Sequence, residues 1–229
     1  MLRLAKNHID IGLFTNDIEL HHEFWSTSVD LQLDHELKLF KDITQHRYDA
    51  HGSVIKVNHN SNPFKDQPAS GYTHLKIASA NLPAQKLKHP GGDYVSLVNP
   101  GTDGIVGIGV EVSTADPHNM MEFYTEIMGF EYVTTNTVCC GDSLIFVTKG
   151  QPGIQTDSFI GPNFRYLTVQ IFDADLECAA IAEKGGFISQ PPRTIGDIAR
   201  YGFVTDPDGN WIEISARASL TGIIPTPDS

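Results

Sequence analysis

Cysteine is scarce in this chain, basic residues are outnumbered, and no apolar run is long enough to cross a bilayer. Only 3 cysteines stand among 229 residues. Cys139 and Cys140 are adjacent and poorly placed to bridge each other, and Cys178 falls in a predicted helix, so reduced structural thiols are expected. The 16 Lys and Arg face 28 Asp and Glu, for a formal charge of −12. A surface that tracks phosphates draws on clustered cations, so no nucleic-acid partner is expected. A membrane span needs about 18 apolar residues in a row, and the start Met1 to Lys6 leads at once into polar residues rather than a signal core. These absences give the expectation of a cytoplasmic protein with no membrane partner.

Familiar catalytic signatures are also missing. His21-His22-Glu23 resembles the start of a zincin helix, but Ser26 stands where the second histidine of that motif belongs, so the sequence reads as a solvated helix edge. His35, His46, His51 and His59 enrich the first quarter in imidazole without a diagnostic spacing, and read as surface or core residues. Gly104, Gly107 and Gly109 reverse the order of the dinucleotide fingerprint and lead into a strand, which removes the helix N-terminus a phosphate would meet. There is no Gly-x-Ser-x-Gly elbow and no Walker loop.

What is present is a weak repeat. At 40% hydrophobic and 19% charged residues, the chain can bury one large core or two of about 100 to 120 residues each. His89-Pro-Gly-Gly-Asp-Tyr-Val-Ser-Leu97 is answered by Asp206-Pro-Asp-Gly-Asn-Trp-Ile-Glu-Ile214, each a turn feeding a strand. Glu23-Phe24-Trp25 is answered by Glu122-Phe123-Tyr124 at an offset of 99 residues. Such periodicity sets the fold before any local reading does.

Four units follow from it. The first has a strand over 7–14, caps at Thr15, Asn16 and Asp17, a helix to about Ser26, and two further strands over 31–40 and 52–58. Ser61 to Gly71 reads as a connection. The second is abbreviated: a strand over 72–78, an interrupted stretch over 82–89, and a strand over 93–98. In the third, a strand over 106–112 precedes caps at Ser113, Thr114 and Asp116, a helix over 117–128 stopped by Gly129, and two strands. The fourth has a strand over 164–172, a helix over 175–184 ended by Gly185-Gly186, and strands near 199–205 and 210–216.

Opening strands of the type His8-Ile-Asp-Ile-Gly-Leu13 and the finish Asp206-Pro-Asp-Gly-Asn-Trp-Ile-Glu-Ile214 resemble the vicinal oxygen chelate superfamily, which includes glyoxalase I, extradiol dioxygenases and bleomycin-resistance proteins. The resemblance covers about residues 7–217. It implies an α+β fold in which four βαβββ-type modules, the second abbreviated, pair into two cup-shaped mixed sheets with helices outside. Modules one and two would occupy residues 1–100, modules three and four 105–217, and a C-terminal tail 218–229. The superfamily's ligand positions carry over to His8, Lys56, Tyr72, Ser96, Gly107, Tyr166 and Glu213, of which only His8 and Glu213 are good ligand types.

Pairing in sequence order leaves neither cup with a full ligand set, which disfavours an ordinary Fe(II) extradiol dioxygenase needing two His and a carboxylate. Pairing of the first module with the fourth would unite His8 and Glu213 with Lys56 and Tyr166. Residues two apart on a strand share a face, which adds Asp10 and His74 as plausible ligand types. The expected site is therefore His8 and Glu213 as metal ligands, with Glu213, Tyr166 and Lys56 as the catalytic candidates. A buried charged Glu213 needs a cation, a donor network or a proton.

Two functions compete on this reading. One is a divalent-metal-dependent lyase, isomerase or related enzyme using Fe, Mn, Ni, Co or Zn to hold two vicinal oxygens of a small oxygenated substrate while a base moves a proton. The other is a metal-free binding or resistance protein that captures an apolar or aromatic ligand in a cup lined by Tyr72, Tyr94, Tyr166 and Trp211. The partner in both is a small molecule, and a homodimer is compatible with either.

Overall fold

The computed structural model describes residues 2–65 and 67–223, so the end of the tail expected over 218–229, from 224 onward, lies outside the described residues. Module one comprises β1 (Asp10–Thr15), α1 (Ile18–Glu23), β2 (Gln32–Phe40), β3 (Ile43–Ala50) and β4 (Ser53–Asn60). Module two has only strands, β5 (Tyr72–Ala78), β6 (Gln85–Lys88) and β7 (Tyr94–Val98). Module three contains β8 (Ile108–Thr114), α2 (Pro117–Glu122), β9 (Glu131–Thr134), β10 (Thr137–Cys140) and β11 (Ser143–Lys149). Module four contains β12 (Phe164–Gln170), α3 (Ala174–Glu183), β13 (Phe187–Ile195), β14 (Ala199–Thr205) and β15 (Trp211–Arg217), and a short helix over Ala218–Thr221 follows.

The offset of the repeat is visible in the backbone. Both α1 and α2 run on as π-helical turns, Phe24–Ser28 and Phe123–Ile127, at positions 99 residues apart. The helix starts are capped by side chains as their sequences require: Asp17, Asp116 and Asp173 accept the backbone N–H groups of Leu20, Asn119 and Leu176. Gly129 and Gly185, at φ of 70° and 92°, supply the left-handed exits. Each of the four modules holds one strand more than its sequence suggests; in module two it is β6, inside the interrupted stretch over 82–89. In module one the extra strand is β3, in module four β13, whose Pro191 and Pro192 sit on an edge strand that tolerates the missing donors.

The strands form an eight-stranded sheet in the order β13-β14-β15-β12-β1-β4-β3-β2 and a seven-stranded sheet in the order β6-β7-β5-β8-β11-β10-β9. Module one therefore pairs with module four, and module two with module three. In each sheet the two opening strands meet antiparallel at the centre, β1 on β12 and β5 on β8. Each opening strand also takes its own module's last strand in parallel, as in β1 with β4 and β12 with β15.

Alternation along the strands separates two kinds of interior. Ile9, Ile11, Leu13, Tyr48, Ile55 and Val57 join Trp25, Ile181 and the apolar residues of the second sheet in the main core. The opposite face of the eight-stranded sheet carries a separate cluster of Phe14, Ile43, Tyr166, Tyr201, Phe203 and Trp211, joined by Phe159. Cys139, Cys140 and Cys178 are free thiols. Burial pushes Cys140 and Cys178 up to about 12, which makes both poor nucleophiles.

Candidate functional site

The inner face of the eight-stranded sheet is set by register. Asp10 stands opposite Thr168 and Gly12 opposite Tyr166, while Gly12 also neighbours Lys56 and Thr168 neighbours Glu213. One row of the sheet thus brings side chains from β1, β4, β12 and β15 to a single point. The Lys56 ammonium donates to Thr168 Oγ1 at 2.7 Å and to Glu213 Oε2 at 2.8 Å, and lies 3.9 Å from Asp10 Oδ2. Thr168 in turn donates to Glu213 Oε2 at 2.6 Å.

These groups are largely withdrawn from water. Lys56 is 3% exposed and Asp10 is fully buried. Burial drives the Lys56 pKa down, and Glu213 and Asp10 oppose that shift without cancelling it. Burial alone would raise Asp10, but the charges of Lys6, Lys56 and Arg47 hold its carboxyl below the usual range. Asp10 also accepts the backbone N–H of Val54 at 2.9 Å and the Gln170 amide at 3.2 Å. It is a structural counter-charge at the floor of the cup.

Above this floor opens a cavity of about 410 Å³. Its walls are apolar, with Phe14, Ile43, Phe159, Tyr166, Ile195 and Phe203, and its polar lining includes Gln45, Asn58, Arg193 and Arg217 beside Lys56 and Glu213. Tyr166 is fixed from two sides: Asn58 donates to its hydroxyl at 3.0 Å, and its ring covers Gly12 so closely that a Cβ there would stand 2.0 Å from Cζ. Lys56 sits 5.6 Å from the centre of that ring. Arg193 donates to the Tyr201 hydroxyl at 2.9 Å and stacks over its ring. The lining cations Lys56, Arg193 and Arg217 outnumber the lining carboxylate Glu213.

The fold brings Lys56, Tyr166 and Glu213 together, and it takes His8 elsewhere. His8 precedes β1, its Nδ1 lies 2.7 Å from Asp142 Oδ1 in the β10–β11 turn, and its ring packs on Gly52. The β1 residue that faces Glu213 is Asp10. His8 and Glu213 thus contact different groups, Asp142 for the one and Lys56 and Thr168 for the other. Tyr72 is buried beneath the second sheet with its hydroxyl donating to the Trp211 carbonyl at 3.2 Å, and Gly107 lies just before β8.

The second sheet repeats the theme in reduced form. His74 contacts Ser96 Oγ at 2.8 Å and Glu111 Oε2 at 3.3 Å, and Lys76 pairs with Glu111 Oε1 at 2.8 Å. His74, burial and Lys76 act on Glu111 in opposite senses, and the net effect holds it down at about 2. Phe146 fills the position that corresponds to Lys56, and Lys76 stacks on its ring at 4.6 Å.

Residues 108–214 match the family model described as Glyoxalase/Bleomycin resistance protein/Dioxygenase superfamily. The matched segment spans modules three and four, from the start of β8 into β15, and it is there that the chain is similar to that superfamily. A probable lactoylglutathione lyase of Vibrio parahaemolyticus is 28% identical over 124 residues, covering 47% of this chain and 90% of the relative. Glyoxalase I from Zea mays superposes with a TM-score of 0.70 at 13% identity, covering 94% of this chain and 92% of that one. A putative dioxygenase from Bacillus subtilis gives 0.63 at 14% identity over 95% and 86%. At such identities the structural likeness establishes the fold.

Members of this superfamily often use divalent metals, but the donor set of the first cup does not fit one. The two carboxylates of the first cup are already turned to an ammonium, and a divalent ion between them would lie within a few ångströms of a like charge in a poorly screened site. In the second cup the same is true of Glu111 and Lys76.

Proposed function

We propose that the first cup binds a small, largely apolar or aromatic molecule carrying an oxyanion, and does so without a divalent ion. The observation that carries this reading is the Lys56 ammonium held between Thr168, Glu213 and Asp10 at the base of an aromatic cavity. An ammonium supplies the positive end that a bound ion would otherwise provide, and its donors can turn to a ligand oxygen at little reorganisation. The apolar walls contribute the bulk of affinity and the three lining cations select the charged end.

The test is thermal denaturation with 1-naphthoate and with the neutral analogue 1-naphthol, each with and without a chelator. Specific binding raises Tm for the naphthoate more than for the naphthol, and the shift survives the chelator. A shift abolished by chelator, or an equal response to both probes, overturns the reading.

A second reading keeps the chemistry of a lyase or isomerase. It is favoured by the direct contact between Glu213 and a lysine whose proton is loosened by burial, an arrangement suited to moving a proton within the cup. The named activity of the Vibrio relative makes lactoylglutathione lyase the first assay. Turnover that survives a chelator and is lost in Lys56→Met and Glu213→Gln supports this reading. Turnover that requires added Fe, Mn, Ni, Co or Zn supports the metal-dependent form instead.

A further inference from the structure

The convex side of the eight-stranded sheet, facing away from the cup, holds a cluster that the cup chemistry does not use. Gln45 and Arg47 of β3 point to the cup, so His46 and Tyr48 point to the helix side. There His46 meets His22 from the last turn of α1, with ring centres 4.9 Å apart and planes perpendicular. Glu36 of β2 stands directly across from His46 in the strand pairing, and its Oε1 lies 3.1 Å from His46 Nδ1. That nitrogen is buried, and despite the short separation it has no partner in hydrogen-bonding geometry.

The geometry points to a zinc-type divalent transition-metal site formed by His22, Glu36 and His46. One ligand atom from each residue lies within 4.8 Å of the others. Bonds of about 2.0 to 2.2 Å around a tetrahedral ion bring such atoms to about 3.4 Å apart, a closure that side-chain rotation at the exposed Glu36 and half-buried His22 supplies. Two imidazoles and one carboxylate are a donor set for zinc and its first-row neighbours, with a further position left open.

The surroundings suit this role. The Tyr48 hydroxyl contacts His22 Nδ1, and a ring that donates its Nδ1 proton to that oxygen leaves Nε2 bare for an ion. His59 stands on the same face with its ring 6.3 Å from that of His46, within reach of the open position. An ion here would pin α1 to the β2–β3 hairpin, whose other face carries Leu39, Ile43 and Gln45 into the cup wall. The site is thus separate from the cup, on the opposite face of the same hairpin.

Titration of chelator-stripped protein with Zn²⁺ by calorimetry, and with Co²⁺ by visible absorption, tests the site. One equivalent is expected to bind, with a Co²⁺ band typical of low coordination number and a rise in Tm. Glu36→Gln, at an exposed position, is expected to weaken binding about tenfold or more while the zinc-free Tm stays near that of the parent; His22→Ala is expected to weaken binding as much, with a lower zinc-free Tm because the buried Tyr48 loses its contact with the ring. His35→Ala, which removes the nearby exposed His35–Asp34 pair, is expected to leave binding intact. No uptake by the parent protein, unchanged uptake in Glu36→Gln or His22→Ala, or loss only in Glu213→Gln overturns the proposal.

Discussion

The Nζ of Lys56 and Oε2 of Glu213 lie 2.8 Å apart although 157 residues separate them in the chain. The two come from different modules and make each other's shortest ion pair. Removing the Glu213 charge leaves the buried Lys56 with only Asp10, 3.9 Å away, to offset it, and removing Lys56 leaves the part-buried Glu213 with Thr168 alone; breaking such a pair costs up to about 3 to 5 kcal/mol. Lys56→Met and Glu213→Gln are each expected to destabilise by that amount. The double variant should cost clearly less than the sum, and a denaturant-based double-mutant cycle measures the difference.

Gly12 is held free of side-chain atoms by the Tyr166 ring. Gly12→Ala forces that ring out of place, because the new methyl would overlap it at 2.0 Å from Cζ. Overpacking of this kind costs about 1 to 3 kcal/mol. The displaced ring also gives up its bond from Asn58, so naphthoate binding is expected to fall with stability. Tyr166→Phe, which keeps the ring and loses only the hydroxyl, should retain most of both; thermal shifts of the two variants with ligand separate the effects.

Acid sensitivity is expected from His21. Burial lowers its pKa to about 4, and its ring lies 4.8 Å from that of His89, which burial likewise holds well below the usual histidine value. The unfolded chain takes up the His21 proton near 6.5 while the folded one resists, so its contribution to stability is complete above about pH 6.5 and is lost as pH falls toward 4; the His89 contribution has the same sign. Each histidine adds a slope of at most about 1.4 kcal/mol per pH unit in that window. His21→Leu should flatten the acid limb of urea midpoints against pH by about one such contribution.

If the cup binds an oxyanion as proposed, Arg193 would share charge recognition with Lys56, since both line the cavity. Arg193→Met keeps much of the side-chain volume on the Tyr201 ring while removing the cation. Naphthoate affinity is expected to drop about tenfold, a little over 1 kcal/mol for one charged contact, and naphthol affinity to stay level. Calorimetric titration of both ligands checks this.

Much of this architecture is legible in the sequence, and the part that is not has a local cause. The repeat at an offset of 99 residues places α1 and α2 with their π-helical ends in register, and it also gathers Lys56, Tyr166 and Glu213 once the first module meets the fourth. What it does not specify is which residue of an opening strand first looks into the cup. His8 has the right alternation, but β1 begins two residues later, and His8 turns to Asp142 of the other sheet. Lys56 is legible as a site candidate, but its charge alone does not reveal that Asp10, Thr168 and Glu213 converge on it from three other strands. His22 and His46 read as unrelated because β3, the strand that carries His46 under α1, is hidden in a polar stretch without apolar alternation.

The pairing of first module with last has a consequence for how the protein is made. The seven-stranded sheet is drawn from the uninterrupted stretch 72–149 and can close while synthesis continues. The eight-stranded sheet cannot: β1 waits for β12, and Lys56 waits for Glu213 at the far end of β15. A nascent chain therefore carries β1 to β4 through much of translation with one open edge and an uncovered ammonium. Such an edge can recruit a strand from a neighbouring ribosome's product as readily as its own. Slow synthesis between residues 60 and 217 would lengthen the time in which such pairing competes with the single-chain fold.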